Sequence, residues 1–152
     1  MGNGYTLTCA SCKNQLHVYE GVGMFYPQVC RDILQRMQQG AYGDALQKAA
    51  LSHSNAAIHQ EECLFQCMTC GRIQQGEVID LCIPQYASGL PDHFCFVMKH
   101  DIGEGYRVIG SVPHPCPVCQ SDMQPISADA HTLFPCPRCG GQLTITDWLK
   151  WD

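Results

Sequence analysis

Apolar residues fall in short, punctuated runs along this chain. Between Pro27 and Gln39, Val29, Ile33, Leu34 and Met37 recur at helical spacing, with Pro at the start and Gly40 just past the end. A second helical stretch runs from Asp44 to Leu51, with Asp44 as its expected N-cap. Strand-like runs follow at 62–66, at Val78–Ile83, at Phe94–Lys99 and at Tyr106–Ile109. Turns are expected at 89–92 and at 103–105, and the run Ser111 to Pro115 reads as a stiff link. Beyond it, Met123, Ile126, Leu133, Phe134, Leu143 and Ile145 read as short strands. The chain ends with Trp148 and Trp151 three residues apart, which a final helical turn would place on one face.

Composition narrows the class. The 152 residues include 12 Cys, 9 Lys plus Arg and 14 Asp plus Glu, for a formal net charge of −5. Apolar residues make up 45 %, which excludes a disordered acidic chain. No apolar run reaches the ~20 residues of a membrane span. The first residues lack the basic-then-apolar pattern of a secretory signal, so a cytoplasmic, reducing location is expected, where disulfides are rare. Gly2 with Thr6 matches the short myristoylation pattern, but a flexible start ahead of a strand explains the same residues.

Eight cysteines form four Cys-x-x-Cys knuckles: Cys9/Cys12, Cys67/Cys70, Cys116/Cys119 and Cys136/Cys139. Each knuckle aims two thiolates at one point, and two knuckles complete a tetrahedron around a metal ion. Four knuckles therefore make two sites with none left over. Cys116/Cys119 and Cys136/Cys139 are 16 residues apart, inside the range of zinc sites, with Pro117 and Pro137 shaping the turns and Gly140 following the last Cys. They are expected to form one site. Cys9/Cys12 and Cys67/Cys70 are 54 residues apart and are expected to form the other, with the helical pair inserted between them. A competing arrangement joins Cys67/Cys70 to Cys116/Cys119 across 45 residues, which sequence distance does not exclude.

The C-terminal stretch resembles the zinc ribbons of many transcription, translation and enzyme-appended modules, and Cys136 to Gly140 resembles a rubredoxin knuckle. Cys9/Cys12, the run from Gly21 to Pro27, Tyr42-Gly43 and Cys67 to Gly71 are similar to uncharacterised bacterial zinc-ribbon proteins over residues 5–85. The resemblance implies a metal site and no activity. The expected fold is α+β: two small zinc ribbons with antiparallel strands, and a helical hairpin inserted between the knuckles of the first. The first domain would span 1–110 with added strands, and the second 111–152.

Cys30, Cys63, Cys82 and Cys95 lie outside the knuckles and read as core thiols. A third site from Cys82, Cys95, His93 and His100 has no support in spacing. His17 and His114 lie near knuckles, where a ring can donate to a thiolate, although exposed histidines are commoner. No catalytic histidine, serine-elbow or phosphate-loop motif occurs. Two Zn(Cys)4 centres, each with a net charge of −2, would take the chain from −5 to about −9. Its nine scattered basic residues then argue against a nucleic-acid role, which would need a local patch of Lys13, Arg72 and Arg138. The sequence thus leads to a non-catalytic protein with two Zn2+ per chain and an unidentified protein partner, with a nucleic-acid-associated ribbon as alternative. A rubredoxin-like electron carrier is a second alternative, with iron as alternative occupant of the C-terminal site.

Overall fold

The computed structural model describes residues 2–22, 27–86, 95–128 and 133–151, with Trp151 described in its backbone alone. Residues 23–26 of the glycine-bearing run, the turn at 89–92, His93, Phe94 and His131 lie outside the described residues. The chain is predominantly antiparallel sheet with two helices, not a pair of small ribbons with a helical insert. It divides into two units, each assembled from separated segments. The division expected at 110/111 is therefore replaced by one in which distant segments share a core.

The first unit comprises Met1–Met24, Glu61–Glu77 and Pro113–Asp152. β1 (Gly2–Cys9) lies between β2 (Gln15–Gly21) and β8 (Gln142–Trp151), antiparallel to both, and β7 (Phe134–Pro135) flanks β8. β3 (Ala57–Cys67) meets β2 at Gly21 opposite Glu62, and its end pairs with β6 (Met123–Ile126). Tyr5, Leu7, Val18, Leu64, Ile73, Phe134 and Leu143 are buried in one core together with Cys9 and Cys136. Gly2 is already paired in β1, opposite Gly21 and Trp151, so the flexible start is corrected to a strand. The final helical turn is corrected too: the tail is β8, consistent with β-branched Thr144, Ile145 and Thr146, and Trp148 lies against Tyr5 with ring centroids 5.3 Å apart.

The second unit comprises Phe25–Gln60 and Val78–Val112. The two helices form where the periodicity places them, α1 at Pro27–Gln38 and α2 at Asp44–Ser52. Gly43, rather than Asp44, occupies the N-cap of α2, and Asp44 starts the helix, where a carboxylate suits the helix dipole. Cys30, Ile33 and Met37 of α1 and Leu46 and Ala50 of α2 pack on Ile79, Leu81 and Ile83, alternate residues of β4 (Ile73–Pro84). Cys82, of opposite parity, packs with Ala57, Val97 and Tyr106. β5 (Tyr106–Ser111) pairs with β4. Of the strand expected at 94–99, the described residues 95–99 show one bridge, Phe96 to Ile58, followed by a 3-10 turn at Lys99–Asp101. Among the described residues no helix is long and apolar enough to cross a membrane.

Candidate metal centres

All four knuckles have one local design. The first cysteine donates its N–H to the carbonyl five residues on: Cys9 to Asn14, Cys67 to Arg72, Cys116 to Ser121 and Cys136 to Gly141, at 2.6–2.9 Å. Its own carbonyl accepts the N–H four residues on, from Lys13, Gly71, Gln120 and Gly140, at 2.8–3.1 Å. That fifth position turns the chain through left-handed backbone, with φ of 60°, 74°, 61° and 75° respectively. Glycine fills it twice without strain, whereas Lys13 and Gln120 carry side chains there. The Lys13 ammonium donates back to the Ala10 carbonyl at 3.0 Å.

Each knuckle is the turn of a hairpin, and strand pairing decides which knuckles meet. β1 runs into Cys9 and β8 leaves the 136–141 turn, and their ladder puts Cys9 opposite Leu143. β3 runs into Cys67 and β6 leaves the 116–121 turn, with Cys67 opposite Met123. In both cases the first cysteine stands opposite the residue seven beyond its partner knuckle's first cysteine. The ligand groups are therefore Cys9, Cys12, Cys136 and Cys139, and Cys67, Cys70, Cys116 and Cys119, with the four sulfurs of each group within 4.8 Å of one another.

This corrects the expected pairing. All eight cysteines cluster, but Cys9/Cys12 meets Cys136/Cys139 instead of Cys67/Cys70, and Cys116/Cys119 meets Cys67/Cys70 instead of Cys136/Cys139. The sites are nested along the chain, because β6, the strand that leaves the 116–121 turn, pairs with β3 and so carries its knuckle away from the next one.

The sulfur geometry suits a metal ion. Cys9 Sγ is 3.5 Å from Cys139 Sγ, and Cys12 Sγ is 3.7 Å from Cys136 Sγ. Cys67 Sγ is 3.4 Å from Cys119 Sγ, and Cys70 Sγ is 3.6 Å from Cys116 Sγ. A first cysteine thus meets its partner knuckle's last one each time, a local pseudo-two-fold. A tetrahedron with Zn–S of ~2.3 Å has edges of about 3.8 Å, whereas a disulfide requires ~2.05 Å. All 12 cysteines are free thiols.

Backbone N–H groups are aimed at the sulfurs. Cys12 donates to Cys9 Sγ at 3.5 Å and Gly141 to Cys139 Sγ at 3.4 Å. The Cys12 N–H is the main reason that the Cys9 thiol is held down to about 6. The Ser121 hydroxyl, then its N–H, holds Cys119 down to about 6, and the Cys119 N–H lowers Cys116. Cys139 moves the other way: the Gly141 N–H favours its thiolate, but the neighbouring Cys12 and Cys9 sulfurs push it up to about 12. Cys70 likewise rises to about 11, against the Arg72 N–H, through burial and the sulfurs of Cys116, Cys67 and Cys119. Four crowded thiols cannot all ionise by themselves. A cation at their centre removes the mutual repulsion and makes four thiolates the stable state. The residues therefore fit a tetrathiolate metal ion.

The remaining candidates fall elsewhere. Cys30, Cys63 and Cys82 are buried, and Cys95 packs partly buried against the helical core with its thiol 3.2 Å from the Pro27 carbonyl. Cys63 sits in strand β3, so it lacks the helical offset that a ligand role beside Cys67 requires. Among the described residues only the two cysteine tetrads bring metal-ligating side chains to one point, and His100 is exposed beside Asp101. His17 pairs with Thr6 at 3.1 Å, and His114 stacks on Phe65 with centroids 4.0 Å apart. The left-handed turns at Lys13 and Gln120 were legible only by aligning the four knuckles on their first cysteines. No protein-family model, curated protein or solved structure matches this chain.

Proposed function

We propose that this chain is a non-catalytic zinc protein whose two tetrathiolate ions fasten its strands and whose surface serves a protein partner. One observation carries the reading: each cluster supplies four sulfurs at tetrahedral spacing, which completes the coordination of Zn2+ and leaves no position for substrate. The clusters join segments distant in sequence, as structural sites do, and such ions add their binding energy to folding. Charge speaks against nucleic acid: 14 acidic residues face 9 basic ones, and two tetrathiolate centres deepen the deficit. Metal analysis of the purified protein, with its visible spectrum and its copurifying proteins, tests the reading. Two zinc ions per colourless chain, with a protein bound, support it. Red protein containing iron makes it an electron carrier, and chains with fewer than two ions refute the two-site assignment. Salt-sensitive binding to DNA or RNA transfers the role to nucleic acid.

A further inference from the structure

The two clusters share a ligand plan but not a support. In the Cys9/Cys12/Cys136/Cys139 cluster, the ladder that joins the knuckles runs the whole length of β1, from Cys9 opposite Leu143 back to Gly2 opposite Trp151. β2 pairs along the other side of β1, from Thr8 to Gly2. Cys9 and Cys136 belong to the apolar core of their unit, and Cys12 packs against it. The two turns of this cluster lie close together, since a Cβ on Gly141 would stand 2.7 Å from Ser11 Oγ and 3.2 Å from Cys9 Sγ, while the first cysteines are buried in both clusters.

The Cys67/Cys70/Cys116/Cys119 cluster is held differently. Its knuckles are joined through the short β6 ladder, Cys67 to Leu64 opposite Met123 to Ile126, and through His114, which stacks on Phe65 of β3. The 116–119 turn closes on an isolated bridge, Pro115 to Asp122. In both clusters the first cysteine of each knuckle is buried and the last is the more open one, Cys70 and Cys119 here and Cys12 and Cys139 in the other. The knuckle tips Met68 and Val118 are exposed, as are Ala10, Ser11, Pro137 and Arg138 at the tips of the other cluster, so the difference between the sites lies in the ladders that hold them.

These differences determine how an ion leaves. Losing a tetrathiolate ion begins with one sulfur letting go. Where a long ladder keeps the knuckle in place, the sulfur rebinds before a competing ligand arrives. Where one of the two knuckles is carried by a four-residue strand, as 116–119 is by β6, local opening is cheaper and competitors reach the ion. We infer that Cys67, Cys70, Cys116 and Cys119 form an exchange site for a soft divalent ion such as Zn2+ or Cd2+, while Cys9, Cys12, Cys136 and Cys139 hold theirs as a permanent clasp. The inference rests on both clusters being metal sites, and makes the metal at one of them a ligand that comes and goes.

The test uses the full-length protein carrying two zinc ions per chain. Excess EDTA is added together with N-ethylmaleimide, and at intervals the protein is denatured and treated with an isotopically heavy maleimide. Mass spectrometry then reads, for each knuckle, the fraction of cysteine freed during EDTA exposure. The knuckles at 67–70 and 116–119 are expected to take the first label about tenfold faster or more than those at 9–12 and 136–139. Equal rates at all four knuckles, or earlier labelling at 9–12 and 136–139, overturn the inference and leave the two-zinc reading intact. A starting protein that takes the first label at every knuckle before EDTA is added overturns the metal reading itself.

Discussion

Gly141 and Ser11 lie 130 residues apart in sequence but belong to turns that meet at one cluster, and this makes a sharp test. An alanine Cβ at 141 would stand 2.7 Å from Ser11 Oγ, 3.1 Å from Ser11 Cβ and 3.2 Å from Cys9 Sγ. The backbone there cannot retreat easily. The Gly141 carbonyl accepts from Cys136 N–H at 2.6 Å, and its N–H donates to Cys139 Sγ at 3.4 Å. Any shift therefore drags a ligand with it. Overpacking of this kind costs about 1–3 kcal/mol, roughly 5- to 150-fold in metal affinity. Ser11→Gly removes the two shortest contacts and leaves the one to Cys9 Sγ, so it should recover part of the loss. The assay is a competition titration against a chromophoric chelator for wild type, Gly141→Ala, Ser11→Gly and the double variant. A coupling above about 0.5 kcal/mol is expected from residues in contact. Additive effects would place the two turns apart and refute the pairing of these knuckles.

Three further outcomes follow from the same structure. Gly140→Ala should cost about 1–2 kcal/mol in urea unfolding, since only the left-handed backbone at φ 75° opposes it; Gly105→Ala, with equally open surroundings and no left-handed backbone, should be near neutral. Leu81→Ala should cost about 2–5 kcal/mol by emptying a fully buried position against the helices, with metal content unchanged because that core contains none of the eight ligands. Burial pushes the thiols of Cys30 and Cys82 up from 9.0 to about 12, so both should stay unalkylated at pH 8 until the protein unfolds. Because these pKa values are raised, their contribution to stability is fully present below pH 9 and is lost as the pH climbs towards 12, which pH-dependent urea unfolding reads directly.

Local chemistry was legible in the sequence and long-range pairing was not. Cys-x-x-Cys spacing announces a turn whose hydrogen bonds close within six residues, so all four knuckles could be read one by one. The helices at Pro27–Gln38 and Asp44–Ser52 were equally legible, because a 3.6-residue period with Pro and Gly at the ends is a local signal. A period of two identifies a strand and says nothing about its neighbour. Met123 and Ile126 read correctly as strand residues, yet nothing in them shows that β6 pairs with β3 rather than with the strands of the next knuckle. That one choice of partner nests the two sites and replaces two consecutive ribbons with a sheet built from both ends of the chain. At the tail, Trp148 and Trp151 suit a helical turn by spacing, but Thr144, Ile145 and Thr146 favour the strand, and the ladder to β1 decides it.

The pairing of knuckles is the claim on which the rest depends. Cadmium-113 replaces zinc in tetrathiolate sites, and its through-bond couplings to cysteine β-protons identify the four ligands of each ion by NMR. One cadmium should couple to Cys9, Cys12, Cys136 and Cys139 and the other to Cys67, Cys70, Cys116 and Cys119. A cadmium coupled to Cys9 and Cys12 together with Cys67 and Cys70 would contradict the account.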